Sequence, residues 1–231
     1  MCHQIVLGEI AWTEVIFHAG HWRLSTIPRT LEDMESALIN VLMFWMLTTP
    51  HEFAHAWVAM KLGDDTPVLE GRVTLNPLAH VDWLGTVILP LIVSISGAGF
   101  IGWGKPVNTN PYKLRWGLNG MALVALAGPA SNVIFAIVLL AVAAHTGDAV
   151  KSLCAGGARL SLYLAIFNMI PVPPLDGSKL LLAARVPVFI YSELARFGFL
   201  LILIAMSATS LGAWMSRWSY QTTRMIYGFF A

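Results

Sequence analysis

Charged residues are scarce in this chain: Asp, Glu, Lys and Arg together make up 12% of its 231 residues. Soluble domains carry about 25% of these residues, whereas 57% of this chain is hydrophobic. The composition therefore indicates a membrane protein. The formal net charge is only +1, so no excess of positive charge points to a nucleic-acid partner.

Cysteine is nearly absent as well. The two cysteines, Cys2 and Cys154, lie far apart and form no CxxC pair, which argues against a cysteine zinc site and against a disulfide framework. No signal peptide is expected at the N-terminus, because Glu9 and Glu14 interrupt it and no basic start precedes an apolar core. We interpret residues 1–35 as a short extramembrane segment.

Long uncharged runs predict membrane spans, since about 20 apolar residues cross a bilayer as a helix. Residues 84–103 form a further uncharged run, which is either another span or a re-entrant segment. The expected fold is an all-α polytopic membrane protein with about four to six transmembrane helices. The four probable spans are residues 37–60, 117–146, 160–175 and 197–216.

The first of these spans contains an unusual polar motif, HEFAH. On a helix, His51 and His55 lie four residues apart on one face, where both imidazoles can bind one metal ion. In HExxH sites the glutamate, here Glu52, accepts a proton from the attacking water. Charged groups inside a membrane are costly, which favours a functional site over two packing histidines. Pro50 predicts a kink, or a helix restart capped by Thr49.

A catalytic zinc ion takes a third protein ligand, and Asp176 has the most informative context. It lies in NMIPVPPLDGSKLLL, residues 168–182, where three prolines in four positions cannot continue a helix. The pattern predicts a broken helix at membrane depth, which is tolerated only inside protein or beside a wet cavity. The other candidate ligands are Asp148, Asp82, His80, His145 and Glu193.

Three separated motifs resemble those of the site-2 protease family of intramembrane zinc metalloproteases. HEFAH matches the family's HExxH, NMIPVPPLDG (residues 168–177) matches NxxPxxxLDG, and AGPASN (residues 127–132) matches GPxxN between them. The stretches at residues 71–90 and 102–111 are similar to the small bacterial and archaeal branch. The resemblance covers about residues 37–182 and implies an intramembrane endopeptidase fold.

The resemblance also implies roles for individual residues. His51, His55 and Asp176 are expected to hold one Zn²⁺ per chain, and Glu52 is expected to act as general base. Asn168 matches an asparagine that helps to hold the substrate or the developing oxyanion.

Two residues of the GPxxN segment complete the match. Gly128 and Asn132 are expected to serve close helix packing. Asn132 lies in an apolar run, so its amide needs a partner.

A small membrane-associated β-hairpin or sheet is expected after the first span. LEGRVTL, residues 69–75, alternates between apolar and polar positions, as in a half-buried strand. WGKPVNTN, residues 103–110, could form a second short strand. The alternatives are an ordinary surface hairpin and a sheet edge beside the zinc that pairs with unwound substrate.

Basic residues suggest the sidedness of the chain. If all those that flank residues 84–103 are cytoplasmic, that segment enters and leaves on one side, with Pro90 or residues 97–99 near its turn. The active site then faces the cytoplasmic side of a multi-pass protein of the inner (plasma) membrane. The flanking basic residues are Lys61, Arg72, Lys105, Lys113 and Arg115.

The chain is interpreted as three regions. Residues 1–35 precede a catalytic core at residues 36–185, and residues 186–231 form a C-terminal transmembrane helix with an interfacial tail. The expected function is zinc-dependent cleavage of transmembrane segments of other membrane proteins, with membrane lipid as the second partner. The alternatives are a non-proteolytic membrane zinc protein, either a carrier or a scaffold, and a structural membrane protein with fortuitous motifs.

Overall fold

Helix α1 (Leu31–Lys61) carries the HEFAH motif in its C-terminal half. The computed structural model describes residues 31–96 and 100–231, so the expected extramembrane segment at residues 1–35 lies almost entirely outside the described residues. The subsequent helices are α2 (Thr66–Leu69), α3 (Pro77–His80), a π-helical turn (Trp83–Ile88), α4 (Leu89–Ile95), α5 (Leu118–Ala144), α6 (Asp148–Asn168), α7 (Gly177–Ala183), α8 (Val188–Ala208) and α9 (Leu211–Tyr227).

Three helices, α5, α6 and α8, are long and apolar enough to cross a membrane, as expected for a membrane protein. The predicted minimum of four spans is therefore not confirmed within the described ranges. Helix α1 is long enough, at 31 residues, but Glu52 and the polar stretch from Thr48 to His51 lower its hydropathy. Two further boundaries differ: α6 begins before the predicted 160–175, and α8 ends before the predicted 197–216 does.

Helix α1 continues without a break through Pro50, so the predicted restart with Thr49 as cap does not occur. Thr49 instead donates its hydroxyl to the Trp45 carbonyl, one turn earlier in the same helix. The histidines that follow therefore stand on one continuous helix.

The apolar segment that follows α3 doubles back on itself. The π-helical turn and α4 together form the apolar helix Trp83–Ile95, which is too short to span a bilayer. The N–H of Trp103 donates to the carbonyl of Gly85 at 2.9 Å, so the two ends of the segment meet. The indole of Trp103 lies against Gly85, where a Cβ would approach it to 2.2 Å.

The predicted β-hairpin is wrong for the described residues, which contain no strand. Residues 69–75 turn at Gly71, whose φ of +65° lies outside the strand region. The guanidinium of the buried Arg72 donates to the carbonyls of Ala79 and Lys105. This side chain thus connects the turn at Gly71 to α3 and to the loop that contains Lys105.

Helix α5 is the centre of the described core. It packs against α1 through Ala59 and Val124, and against α6 through Leu140 and Leu162. Phe44 and Leu47 of α1 also pack against Leu160, in the second half of α6. The HEFAH motif therefore faces α5 in the middle of the bundle.

Candidate metal centre

Three side chains that are distant in sequence converge on one point. Oδ2 of Asp176 lies 3.1 Å from Nε2 of His51 and 3.0 Å from Nε2 of His55, and the two nitrogens are 3.1 Å apart. All three residues are buried, with 3–7% of their surface exposed. They form the group that could hold a metal ion among the described residues.

Local structure explains how the group assembles. The spacing of four residues brings His51 and His55 onto one face of α1. Asp176 follows the proline-broken segment and stands at the start of α7, but its side chain forms no capping bond and is free to face the histidines. Gly177 is required beside it, because a Cβ there would lie 2.2 Å from the Met169 carbonyl oxygen.

The ring of His55 is oriented by a backbone carbonyl. Its Nδ1 lies 2.6 Å from the carbonyl oxygen of Val124, which accepts only if Nδ1 carries the proton. In neutral His55 the lone pair of Nε2 then faces the carboxylate oxygen of Asp176 at 3.0 Å. Two lone pairs at this distance require a proton or a cation between them.

The spacing of the donors fits zinc. Tetrahedral zinc with bonds of about 2.0–2.1 Å to nitrogen and oxygen separates its ligand atoms by about 3.3 Å, close to the 3.0–3.1 Å found for His51, His55 and Asp176. Lys179 donates to the other oxygen of Asp176, Oδ1, at 2.9 Å. Oδ2 is thereby left for the metal.

Gly128 forms the floor of the group. A Cβ at this position would lie 2.3 Å from Nε2 of His55 and 2.6 Å from Nε2 of His51. Any side chain would therefore fill the space that a metal ion needs. Gly128 thus contributes space at the donor atoms in addition to the close packing expected from the sequence.

Glu52 lies beside this group and is held by a loop. The N–H of Val107 donates to its Oε2 at 3.1 Å, and a Cβ added at Gly104 would lie 3.7 Å from its Oε1. One carboxylate oxygen is thus fixed by the protein, and the side chain is only half-buried.

Asn168 is not drawn toward the three donors by a hydrogen bond. Its amide nitrogen donates at 3.0 Å to the Leu164 carbonyl of its own helix. The role expected for Asn168 stays a prediction.

His80 has a different environment from the three donors. It is fully buried, and its Nε2 donates to the Thr74 carbonyl at 2.8 Å. Burial lowers the pKa of His80, and the positive charge of Arg72 lowers it further. The hydrogen bond to Thr74 and the charge of Glu52 oppose this shift but do not outweigh it. Among the described residues, none of the rejected candidate ligands joins the group.

Sequence reasoning missed three contributions to the site, namely those of Val124, Lys179 and Asn132. The amide nitrogen of Asn132 lies 3.1 Å from Nδ1 of His51. Val124, Gly128 and Asn132 are spaced by four residues, so one stripe of α5 faces both histidines. That spacing is visible in the sequence, but only packing shows which stripe of α5 meets α1.

The relatives found among curated proteins are consistent with this arrangement. "Putative zinc metalloprotease YwhC" of Bacillus subtilis is 34% identical, over 72% of this chain and 78% of the relative. "Putative zinc metalloprotease Rip2" of Mycolicibacterium smegmatis is 28% identical, over 83% of this chain and 73% of the relative. "Putative zinc metalloprotease MJ0611" of Methanocaldococcus jannaschii is 35% identical, over 57% of this chain and 62% of the relative.

The chain belongs to the site-2 protease family. No family model and no solved structure matches it. As a member of the family, the chain is a zinc-dependent metalloprotease. The family's metal is consistent with the His51–His55–Asp176 group, whose donor types and spacing suit zinc.

Proposed function

We propose that the chain is an intramembrane zinc endopeptidase that cleaves transmembrane segments of other membrane proteins. The observation that carries the proposal is the buried group of His51, His55 and Asp176, with Glu52 one residue from the first ligand. This group lies in a bundle with three helices apolar enough to span a membrane.

In this mechanism, His51, His55 and Asp176 hold one zinc ion per chain. When bound, zinc supplies a Lewis acid that polarises the scissile carbonyl and lowers the pKa of water. Glu52 accepts a proton from the attacking water and returns it to the leaving amine. The N–H of Val107 holds Oε2 of Glu52, so Oε1 is the oxygen left for proton transfer. Asn168 assists at the developing oxyanion.

The segment from Trp103 to Val107, beside Glu52, offers an edge for an extended substrate. The N–H groups of Trp103, Lys105 and Val107 all bond toward the protein, to Gly85, His80 and Glu52 respectively. This alternation is that of an extended segment. The N–H of Gly104 points the opposite way and bonds to no described residue. An unwound substrate segment can pair there by strand addition.

Unwinding of the substrate is part of the proposal, since a helix keeps its carbonyls in internal hydrogen bonds. The partners are therefore a transmembrane protein and the surrounding lipid. We further propose a multi-pass protein of the inner (plasma) membrane with its active site toward the cytoplasmic side. The support is the basic residues on the loops around the re-entrant segment, including Lys61, Lys113 and Arg115.

The test is cleavage of single-span substrates by purified protein in detergent. Glu52→Gln should reduce cleavage by about 10²–10⁴-fold, the usual contribution of a general base, while the protein still binds about one zinc per chain. The matched control is Glu193→Gln, because Glu193 lies exposed on α8, away from the three donors. Chelation should abolish cleavage by wild type, and added zinc should restore it.

Two results would contradict the proposal. Protein that binds one zinc ion but cleaves none of a broad panel of single-span substrates would support the alternative, a carrier or scaffold. Protein that binds no stoichiometric zinc would remove the basis for both. Because a carrier has no need of a base beside its ligands, the intact Glu52 favours the protease.

A further inference from the structure

Asn132 combines deep burial with an unpartnered polar atom. Its residue surface is 1% exposed, and it lies in α5, the most apolar of the long helices. Its Nδ2 is 3.1 Å from Nδ1 of His51, but its Oδ1 is buried and has no hydrogen-bond partner among the described residues. A buried amide oxygen without a donor needs an explanation.

The position of the proton on the His51 imidazole determines which atom of the Asn132 amide can bond to Nδ1. When Nε2 uses its lone pair for a metal, the proton of the neutral imidazole is on Nδ1. An N–H at Nδ1 requires an acceptor, and the amide NH₂ of Asn132 cannot accept. The amide oxygen can, and a rotation of 180° about the Cβ–Cγ bond brings it to the same position at 3.1 Å.

The opposite amide orientation suits the other proton position on His51. The Asn132 NH₂ donates to Nδ1, and Nε2–H donates to Oδ2 of Asp176 at 3.1 Å. Each of the two amide orientations therefore matches one proton position on His51.

We propose that Asn132 is a positioning residue whose Oδ1 accepts from Nδ1–H of His51 and so holds His51 as an Nε2 ligand of zinc. This inference rests on the ligand role proposed for His51. It assigns to the asparagine of AGPASN a function in building the metal centre, beyond close packing.

Two features of the structure make Asn132 suited to this task. Ser161 of α6 donates its hydroxyl to the Asn132 backbone carbonyl at 2.8 Å, which fixes the backbone from which the amide rotates. Two turns earlier on the same stripe, the Val124 carbonyl accepts from Nδ1 of His55 at 2.6 Å. Helix α5 thus provides an acceptor for each histidine, and groups in this position commonly set metal affinity.

The experiment measures zinc affinity by competition with a chromophoric chelator, on full-length protein in detergent and without substrate. Asn132→Leu removes the acceptor and should weaken zinc binding by about 10–100-fold. Asn132→Asp keeps the shape and offers only acceptors, so it should bind zinc with an affinity close to wild type. The matched control is Asn119→Leu, the same substitution at an exposed asparagine of α5, which should bind zinc normally.

The outcomes separate this inference from the function itself. Wild-type affinity in Asn132→Leu would overturn the inference, as would an equal loss in Asn132→Leu and Asn132→Asp, which would point to a need for the amide NH₂ and not for an acceptor. Absence of zinc binding in wild type would instead overturn the proposed function.

A second measurement needs no variant at position 132. If Asn132→Leu fails to fold, ¹⁵N NMR of histidine-labelled wild type, with His51 assigned by comparison with His51→Gln, reports the proton directly. In the zinc-loaded protein Nδ1 of His51 should carry the proton, and the Nε2 signal should shift on addition of zinc. A protonated Nε2 in the loaded protein would refute the proposal.

Discussion

Gly128 faces the metal centre with a hydrogen atom where every other residue would carry Cβ. That Cβ would lie 2.3 Å from Nε2 of His55, well inside van der Waals contact and in the volume that a metal ion must occupy. The choice of glycine here is therefore explained by space at the donor atoms and not by backbone conformation.

We expect Gly128→Ala to lose zinc affinity by at least about tenfold, the lower end of the effect of groups around a metal site. Gly156→Ala is the control, because Gly156 is also in an apolar helix but its Cβ would meet only Met43, at 3.7 Å. Zinc per chain after dialysis, with thermal unfolding as a check on folding, distinguishes the two. Full zinc occupancy in Gly128→Ala would mean that the metal binds elsewhere.

At the scale of elements, the segment from Trp103 to Val107 is held by hydrogen bonds to other parts of the chain and not by a neighbouring strand. Gly85, His80 and Glu52 receive its inward N–H groups, and the buried Arg72 anchors the Lys105 carbonyl. Its outward edge is thereby left open, in an extended form that does not depend on a neighbouring strand.

Gly104→Pro should reduce kcat/KM for single-span substrates by about five- to thirtyfold, the value of one or two kcal/mol, because proline removes the outward N–H. Gly104→Ala should retain activity, since its Cβ would make ordinary contacts with Thr48 and Glu52 at 3.5–3.8 Å. Zinc content should be unchanged in both variants. Equal activity of the proline and alanine variants would exclude pairing through this N–H.

At the scale of the whole molecule, the two ends of α5 can be distinguished by chemical labelling. Tyr112, 97% exposed, precedes α5, and the exposed Gly147 follows it. Because α5 is long and apolar enough to cross a bilayer, we expect these two residues to lie on opposite sides of the membrane.

In a background with Cys2 and Cys154 replaced by serine, Tyr112→Cys should react with an impermeant maleimide only after the cells are opened. Gly147→Cys should react on intact cells, and it introduces no clash because nothing lies within 4 Å of its Cβ position. The opposite pattern of labelling would place the metal centre toward the outside and contradict the proposed orientation.

The sequence by itself determined the parts that depend on short-range chemistry. The spacing of His51 and His55 fixes their common helix face, and the prolines before Asp176 end α6 at Asn168 whatever packs around them. The structure places Asp176 beside the two histidines, and the expectation that the three act together rested on the resemblance between motifs more than on residue chemistry.

Tertiary structure alone decided where the charged residues of α6 find partners. The predicted span began at residue 160 because Arg159 precedes it, whereas α6 begins at Asp148. Arg159 bonds to Ser216 and stacks on Tyr220, and Lys151 lies over Tyr227. These contacts with α9 compensate the charges, and no local sequence pattern predicts them.

The same reason explains why the expected strands do not form in the described residues and why the contact between Asn132 and His51 could not be predicted. Alternation in LEGRVTL describes which residues are apolar, but Arg72 is buried and donates to the carbonyls of Ala79 in α3 and of Lys105 in a more distant loop, which a period of two cannot predict. The tautomer of each histidine likewise depends on which atom of α5 meets it. Sequence thus specified the donors, and packing specified the groups that orient them, because hydrogen-bond partners across helices are chosen by contact and not by spacing along the chain.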